Sequence, residues 1–430
     1  MTPQALWPSL LEPSRQGDDG LCTVSAKGVR VRLADGRELL CGTSGLWNAN
    51  LGYGNEAIAE AVAASLRDAS YLSVFRYENA YARRAAQALA DVCGPHYRRV
   101  LFSTSGGAAN DLVMKLARLH HALRGDPGRK VVVGLRGSYH GLTFGSFGLT
   151  GEDLGQQLYG VDQRLVRHVS GDDPAELAEL LERQGGRIAA VVVEPVRGSG
   201  TVPLSPHYLG RLLGLRERYG FLLVADEVAT GFGRTGPFFA SQEWPSQPDL
   251  LVTSKGLTNG TMAAAAVVVS AELARSFDRP GVVLAHGETQ AGTPSACAAI
   301  LATLEEMDRL DAVGRSRALS RRLDEKLAEL VREHPRVLST EGRGCFRALR
   351  LAGRDGGPLP GSEVASVVAA VRDAGAVTHP GPDGVQLIPA LTYTEAELTE
   401  LLDCVRAGLD APSAAATGTT AAATGTGVAG

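Results

Sequence analysis

The chain has 430 residues, a formal net charge of -4, 44% hydrophobic residues and 21% charged residues. That is enough chain for one sizeable two-domain protein with a substantial core, and too balanced a composition for a disordered or fibrous one. No basic stripe with interleaved aromatics is present and the longest apolar run, 262–269, is far short of a membrane span, so neither nucleic acid nor a membrane is an expected partner.

In chain order, residues 1–20 carry prolines and acids where a secretory leader needs a basic flank and an apolar stretch, which points to a cytoplasmic protein. Cys22, Cys41, Cys93, Cys297, Cys345 and Cys404 show neither a CxxC nor metal-ligand spacing, and read as free buried thiols with no metal. Apolar strand-like runs at 99–102, 130–135, 189–193, 221–225, 250–253 and 264–269 alternate with helical patterns, which predicts an α/β chain with a mainly parallel sheet. From Asp308 the texture changes. A charged amphipathic helix to about Glu333, strands near Val337, Arg347 and Val385, and helices near 363–373 and 395–409 predict a smaller α+β domain. The expected division is an amino-terminal segment over 1–60 packing with the small domain, a large domain over 61–305, the small domain over 306–410, and a tail over 411–430. That tail is Ala, Gly and Thr and has almost nothing to bury, so disorder is expected there.

Gly231-Phe-Gly-Arg-Thr-Gly236 matches the G-x-G-x-x-G pattern of dinucleotide sites, but Pro237-Phe-Phe follows where a helix should start. A nicotinamide or flavin site is not expected there. Ser103-Thr-Ser-Gly-Gly-Ala-Ala-Asn110 closes an apolar run and opens a helical pattern. Glycines at such a turn let backbone N–H groups approach a phosphate, although an ordinary tight turn has the same composition. Leu222-Leu-Val-Ala-Asp226-Glu227-Val228 ends an apolar strand on two carboxylates, an unfavourable place for charge without partners. Lys255 stands likewise after Leu250-Leu-Val-Thr-Ser, and the only other lysines are Lys27, Lys115, Lys130 and Lys326. A lysine kept at a buried strand end suits imine formation, which arginine cannot perform; a buried ion pair with Asp226 or Glu227 would account for it equally well.

Asp226-Glu-Val-Ala-Thr-Gly-Phe-Gly-Arg-Thr-Gly236, followed by Ser254-Lys255-Gly256, resembles the signature of the class III pyridoxal-phosphate aminotransferases of fold type I. Gly45-Leu-Trp-Asn48, Gly52-Tyr-Gly54, Ser105-Gly-Gly-Ala-Ala-Asn110, Ser138-Tyr-His-Gly141, Glu194-Pro195, His286-Gly-Glu-Thr289 and Gly292-Thr-Pro294 fit the same family in its order. The resemblance implies pyridoxal 5'-phosphate as cofactor, Lys255 as the imine-forming lysine and proton shuttle, and Asp226 as the partner of the pyridine nitrogen. It places Tyr139 and Val228 on the two ring faces, backbone amides of Gly106 and Gly107 on the phosphate, and Glu194 among the cofactor-binding residues. Thr289 would reach the phosphate of a second subunit, which implies a homodimer. Trp47 and Phe75 would form apolar wall beside the substrate.

Several positions depart from the family pattern. Gly107 and Ala108 stand where relatives carry a hydroxyl and a glutamate, Ser199 where some carry a gating glutamate, and Glu288 where an apolar or aromatic residue is usual. Glu288 could face the active site or a dimer surface. The arginine that grips an α-carboxylate in amino-acid transaminases is replaced by Gln386, which the resemblance places among the substrate-binding residues, and the region 376–382, with His379, lacks the mobile arginine of amine transaminases. Arg76 or Arg197 could serve in their place. These departures, with the opening Leu6-Trp-Pro-Ser-Leu10, make the chain look similar to aminotransferases of daptide-type ribosomal-peptide pathways, implying amination of a ketone at a modified peptide terminus. The expectation is transfer from an amine or amino-acid donor to a carbonyl lacking an adjacent carboxylate. A small-molecule amine or omega-amino-acid transaminase is the second reading, and a mutase or decarboxylase on the same cofactor the third.

Overall fold

The computed structural model describes residues 5–353 and 355–411. Its centre is a seven-stranded sheet in the order Tyr97–Ser103, Ala265–Ser270, Leu250–Thr253, Leu222–Asp226, Ile188–Val193, Val131–Leu135, Val166–Val169. All pair in parallel except Ala265–Ser270, which runs antiparallel to both neighbours. Ile188–Val193, Val131–Leu135 and Leu250–Thr253 are buried at every residue, the condition of a parallel sheet covered on both faces and the reason for their unbroken apolar character. The six apolar runs read from the sequence fall in this sheet to within a residue or two. Val166–Val169 was not foreseen, because this short edge strand carries Arg167 and His168 and has no apolar run.

The carboxyl ends of the parallel strands lead into the segments singled out above: 104–107, 136–141, 194–198, 227–236 and 254–256. An open α/β sheet leaves its crevice there. The G-x-G-x-x-G run opens no helix; Gly231 instead lies where a Cβ would come within 2.9 Å of the Phe239 ring, and the segment proceeds to the short 3₁₀ turn Ala240–Glu243.

Beyond this sheet, Val337–Arg343, Phe346–Leu351, Gly384–Leu387 and His379–Pro380 form an antiparallel sheet, accompanied by helices Gly361–Asp373 and Glu395–Asp410. The helix expected from Asp308 is two helices, Pro294–Arg309 and Ala312–Glu333. Asp311 separates them with φ of 47° while its carboxylate caps Gly314 N at 3.2 Å, a break that the apolar periodicity of Leu310, Ala312 and Val313 conceals. The amino-terminal hairpins Thr23–Lys27, Arg30–Leu33 and Glu38–Cys41 were also unforeseen. The last of them pairs in parallel with Ala376–Val377, and Arg30 forks onto Glu400 at 2.9 and 2.6 Å.

Arg234 joins these parts. It is fully buried, and its guanidinium donates to Asn50 Oδ1 (2.6 Å), Ser44 Oγ (3.2 Å) and the carbonyls of Pro389 and Cys345. Burial lowers its pKa to about 10, which still leaves it a cation at neutral pH. Five cysteines are buried free thiols; Cys22 departs from the expectation, exposed just before the edge strand Thr23–Lys27. The tail expected over 411–430 lies outside the described residues apart from Ala411. Among the described residues no helix is long and apolar enough to cross a membrane, and no group of three or more His, Cys, Asp and Glu is placed to hold a metal ion.

Candidate active site

A cavity of about 460 Å³ opens at the strand ends, with Asp226, Lys255, Gly106, Gly107, Tyr139, Val228, Glu194 and Trp47 in its wall. Asp226 is the last residue of Leu222–Asp226 and only 3% exposed. Its Oδ2 accepts from Asn110 Nδ2 and His140 Nδ1, both at 2.8 Å, and its Oδ1 from the Val228 amide at 3.1 Å. Burial disfavours a charged His140, but the hydrogen bond and charge of Asp226 outweigh it, so the imidazole pKa is raised. Asn110 and His140 lie within the sequence motifs, which do not by themselves mark them as partners of Asp226. The signal was available: a carboxylate at a buried strand end needs several donors, and these two residues stand in segments that leave the same edge of the sheet, after Tyr97–Ser103 and Val131–Leu135.

Lys255 opens the 3₁₀ turn Lys255–Thr258 with φ of 47°, a left-handed conformation unusual for a side-chain-bearing residue and common at functional sites. Burial lowers its pKa to about 8, against the attraction of Asp226 and Glu194 and with the repulsion of Arg234. About a tenth of the amine is then neutral at pH 7, where an exposed lysine would be almost wholly charged. The ion-pair account of Lys255 finds no support in Glu227, which turns away to accept from Thr230 Oγ1 (2.8 Å) and the amides of Ala240 (2.8 Å) and Ser241 (2.7 Å).

Helix Gly106–Leu123 starts where the sequence predicts an anion cradle. Ser105 Oγ caps it by accepting from Ala108 N at 3.2 Å, while the first-turn amides of Gly106 and Gly107 have no intrahelical acceptor. The space there is close: a Cβ on Gly106 would lie 3.1 Å from Val228 Cγ2, and one on Gly107 3.2 Å from Ser146 Oγ, so either neighbour would have to give by a few tenths of an ångström. Glu194 brackets the other side, accepting from the amides of Tyr139 (3.0 Å) and Gly198 (2.9 Å), with its pKa raised to about 7 by burial. Trp47 closes the wall from the turn Ser44–Trp47, in which all four residues have positive φ, from 48° to 70°.

Phe75 and Gln386 lie outside this cavity, as does Thr289, whose expected place is the second subunit's site. Thr289 is exposed, its carbonyl accepting from the Tyr71 hydroxyl at 3.0 Å. Phe75 is 45% exposed and stands over Gly287. Gln386 does not face the cavity; it is buried with Nε2 donating to Gly198 O (2.8 Å) and Thr201 Oγ1 (2.7 Å), because its strand neighbours the turn that carries Gly198. Ser199 donates to Glu152, and Glu288 folds back to accept from Ser103 Oγ and from the amide and hydroxyl of Thr104. Burial opposes ionisation of Glu288, but those hydrogen bonds prevail and hold its pKa below the ordinary value.

The residues present fit pyridoxal phosphate. Free amides at a helix start would take the phosphate, Tyr139 and Val228 the ring faces, the buried Asp226 carboxylate the ring nitrogen, and the partly neutral amine of Lys255 the aldehyde. Residues 14–409 match the family model for aminotransferase class III. The chain belongs to that family. This aminotransferase is 34% identical over 417 residues to the acetylornithine aminotransferase of Mycolicibacterium smegmatis, covering 95% of this chain and 98% of that one. It is 31% identical over 408 residues to the omega-aminotransferase of Caulobacter vibrioides, covering 89% and 92%. It superposes on an amine transaminase from an uncultivated Pseudomonas species, solved with pyridoxal phosphate bound, with a TM-score of 0.88, 29% identity and coverage of 95% and 98%.

Bound here, pyridoxal phosphate supplies an aldehyde that exchanges amino groups and a ring that accepts carbanion electrons. The aminotransferase's own side chains do the rest. Lys255 would attach the cofactor and move the proton, and Asp226, fixed by Asn110 and His140, would keep the ring nitrogen protonated; Glu194 fixes the loop that presents Tyr139. Asp226→Asn retains shape and removes the charge. It is expected to lower turnover about 10–10²-fold at equal cofactor occupancy, the loss of one charge-assisted hydrogen bond; near-normal turnover would contradict this role.

Proposed function

We propose that this aminotransferase delivers an amino group from an amine or amino-acid donor to a ketone or aldehyde with no carboxylate beside the reacting carbon. The observation that carries this reading is that, among the described residues, Lys255 is the only lysine or arginine in the cavity wall. Gln386 has its amide committed to Gly198 and Thr201. His379 lies behind the Trp47 indole, and burial lowers its pKa to about 4, so it is neutral. Arg197 is held by Asp172 (2.6 Å) and the Arg136 carbonyl (3.2 Å), and Arg350 by Asp383 (2.7 Å) and the Gly200 carbonyl (2.6 Å). Arg76 sits in an exposed loop with φ of 59°. Within one chain, a carboxylate desolvated in such a pocket would be left without a cation, at a cost of several kcal/mol.

The acceptor class we favour is the modified carboxyl terminus of a ribosomal peptide, on the resemblance to daptide-type enzymes and on the apolar side chain of Leu142, 44% exposed in the cavity wall. The omega-aminotransferase relative favours the second reading, a small-molecule amine or omega-amino-acid transaminase. Comparing kcat/KM for pyruvate and 2-oxoglutarate with matched carboxylate-free ketones, and with a peptide ending in a methyl ketone, separates these. We expect at least about a tenfold preference for carboxylate-free acceptors, from the lost ion pair. Keto acids turned over far better than every such ketone would leave a conventional amino-acid transaminase.

The working unit in this reading is a homodimer in which Thr289 completes the phosphate site of the second subunit. It is supported by the exposed apolar side chains of Tyr71, Leu72, Phe75 and Tyr77, on the segment whose Tyr71 hydroxyl holds the Thr289 carbonyl. Light scattering should give twice the 45.0 kDa chain mass. A monomer binding one equivalent of cofactor would refute the shared site.

A further inference from the structure

We propose that Trp47 is a positioning residue for Lys255, its indole face being the surface on which the lysine ammonium rests whenever that side chain is free of the cofactor. The inference rests on Lys255 being the cofactor lysine. Nζ lies 4.2 Å from the centroid of the Trp47 ring, well inside the range of cation–π attraction. The site is buried, where that attraction is stronger than at a surface. An aminotransferase lysine leaves its cofactor during each half-reaction and must then keep a proton close to the substrate until it returns. A long unbranched side chain without a resting place would lose that proximity to its own rotamer freedom.

The charged and titratable groups around Nζ leave this role to the indole. Asp226 attracts the ammonium through its charge, but among the described residues no ion pair joins the two. Glu194 attracts it too, with both oxygens accepting backbone amides, and Arg234 repels it. His379 stands edge-on to the indole, 5.6 Å between ring centroids, and is neutral.

The backbone under Trp47 is built to hold it in one place. Ser44, Gly45, Leu46 and Trp47 all have positive φ, which side-chain-bearing residues adopt only where the surroundings enforce it. Here Ser44 Oγ donates to Ile388 O at 2.6 Å and accepts from Arg234 at 3.2 Å, and Asn48 Nδ2 donates to Leu46 O at 2.8 Å. Phe346 backs the indole at 5.1 Å between centroids.

The test uses the full-length enzyme loaded with pyridoxamine phosphate, the form in which Lys255 is free. The rate of acetylation of Lys255, read by mass spectrometry of its peptide from about pH 6 to 10, gives its apparent pKa. Biosynthetic replacement of tryptophan by mono- and difluorinated analogues drains charge from the indole face with little change of shape. Cation–π attraction favours the ammonium, so weakening it must lower the pKa. We expect a stepwise fall along the fluorine series, and for Trp47→Leu a fall of about 0.5–1.5 units, seen as a roughly 3–30-fold faster acetylation below the pKa. Trp47→Phe should lie between leucine and wild type. Pyridoxal phosphate must protect Lys255 from the reagent. Absent protection overturns the assignment of the lysine and the proposal with it, whereas protection with a flat fluorine series overturns the proposal alone.

Discussion

Asp226 ends a wholly apolar strand with a carboxylate that is 3% exposed, and a charge so placed needs several donors at once. Those donors come from separate parts of the chain: Asn110 from the first turns of Gly106–Leu123, His140 from the loop after Val131–Leu135, and Val228 from the turn after the strand itself. Satisfying one buried charge therefore draws together the helix start at Gly106, the loop that presents Tyr139 and the turn that presents Val228. The same charge attracts the buried amine of Lys255, so that desolvation lowers its pKa only to about 8. The geometry that would hold the cofactor and the electrostatic solution of the strand end are one arrangement.

The wall opposite is set by a second buried charge. Arg234 has backbone carbonyls and neutral side chains for partners, and these belong to the segment around Ser44 and Asn50 and to that around Cys345 and Pro389. It thereby anchors the left-handed turn from which Trp47 projects. The run that mimics a dinucleotide fingerprint owes its glycines to packing, Gly231 against Phe239 and Gly233 at φ of 77°, and its arginine to this anchoring. Among the described residues, Lys255 is the one lysine or arginine in the wall of a pocket built this way.

The parts of this arrangement legible in the sequence are those that burial alone writes. The strands of the main sheet are buried on both faces and so read as apolar runs, and Asp226 and Lys255 stand out as charges at the ends of two of them. What could not be read is fixed by backbone conformation or distant pairing. The positive φ values at Ser44–Trp47 and Asp311 leave no mark in apolar periodicity, and the pairing of Glu38–Cys41 with Ala376–Val377 joins segments far apart in the chain. Gln386 shows the limit of reading position by position. It stands where a substrate clamp was expected, yet its amide is turned onto the Gly198 carbonyl and the Thr201 hydroxyl.

The central claim is that Lys255, at the end of a buried strand and within reach of Asp226, carries the cofactor. Borohydride reduction of the cofactor-loaded protein, followed by peptide mapping, tests it most directly. The account predicts one equivalent of pyridoxyl label on the peptide containing Lys255 and none on it in Lys255→Ala. Label on Lys115, whose Nζ donates to the Ala285 carbonyl at 3.2 Å, or on Lys130 would contradict it.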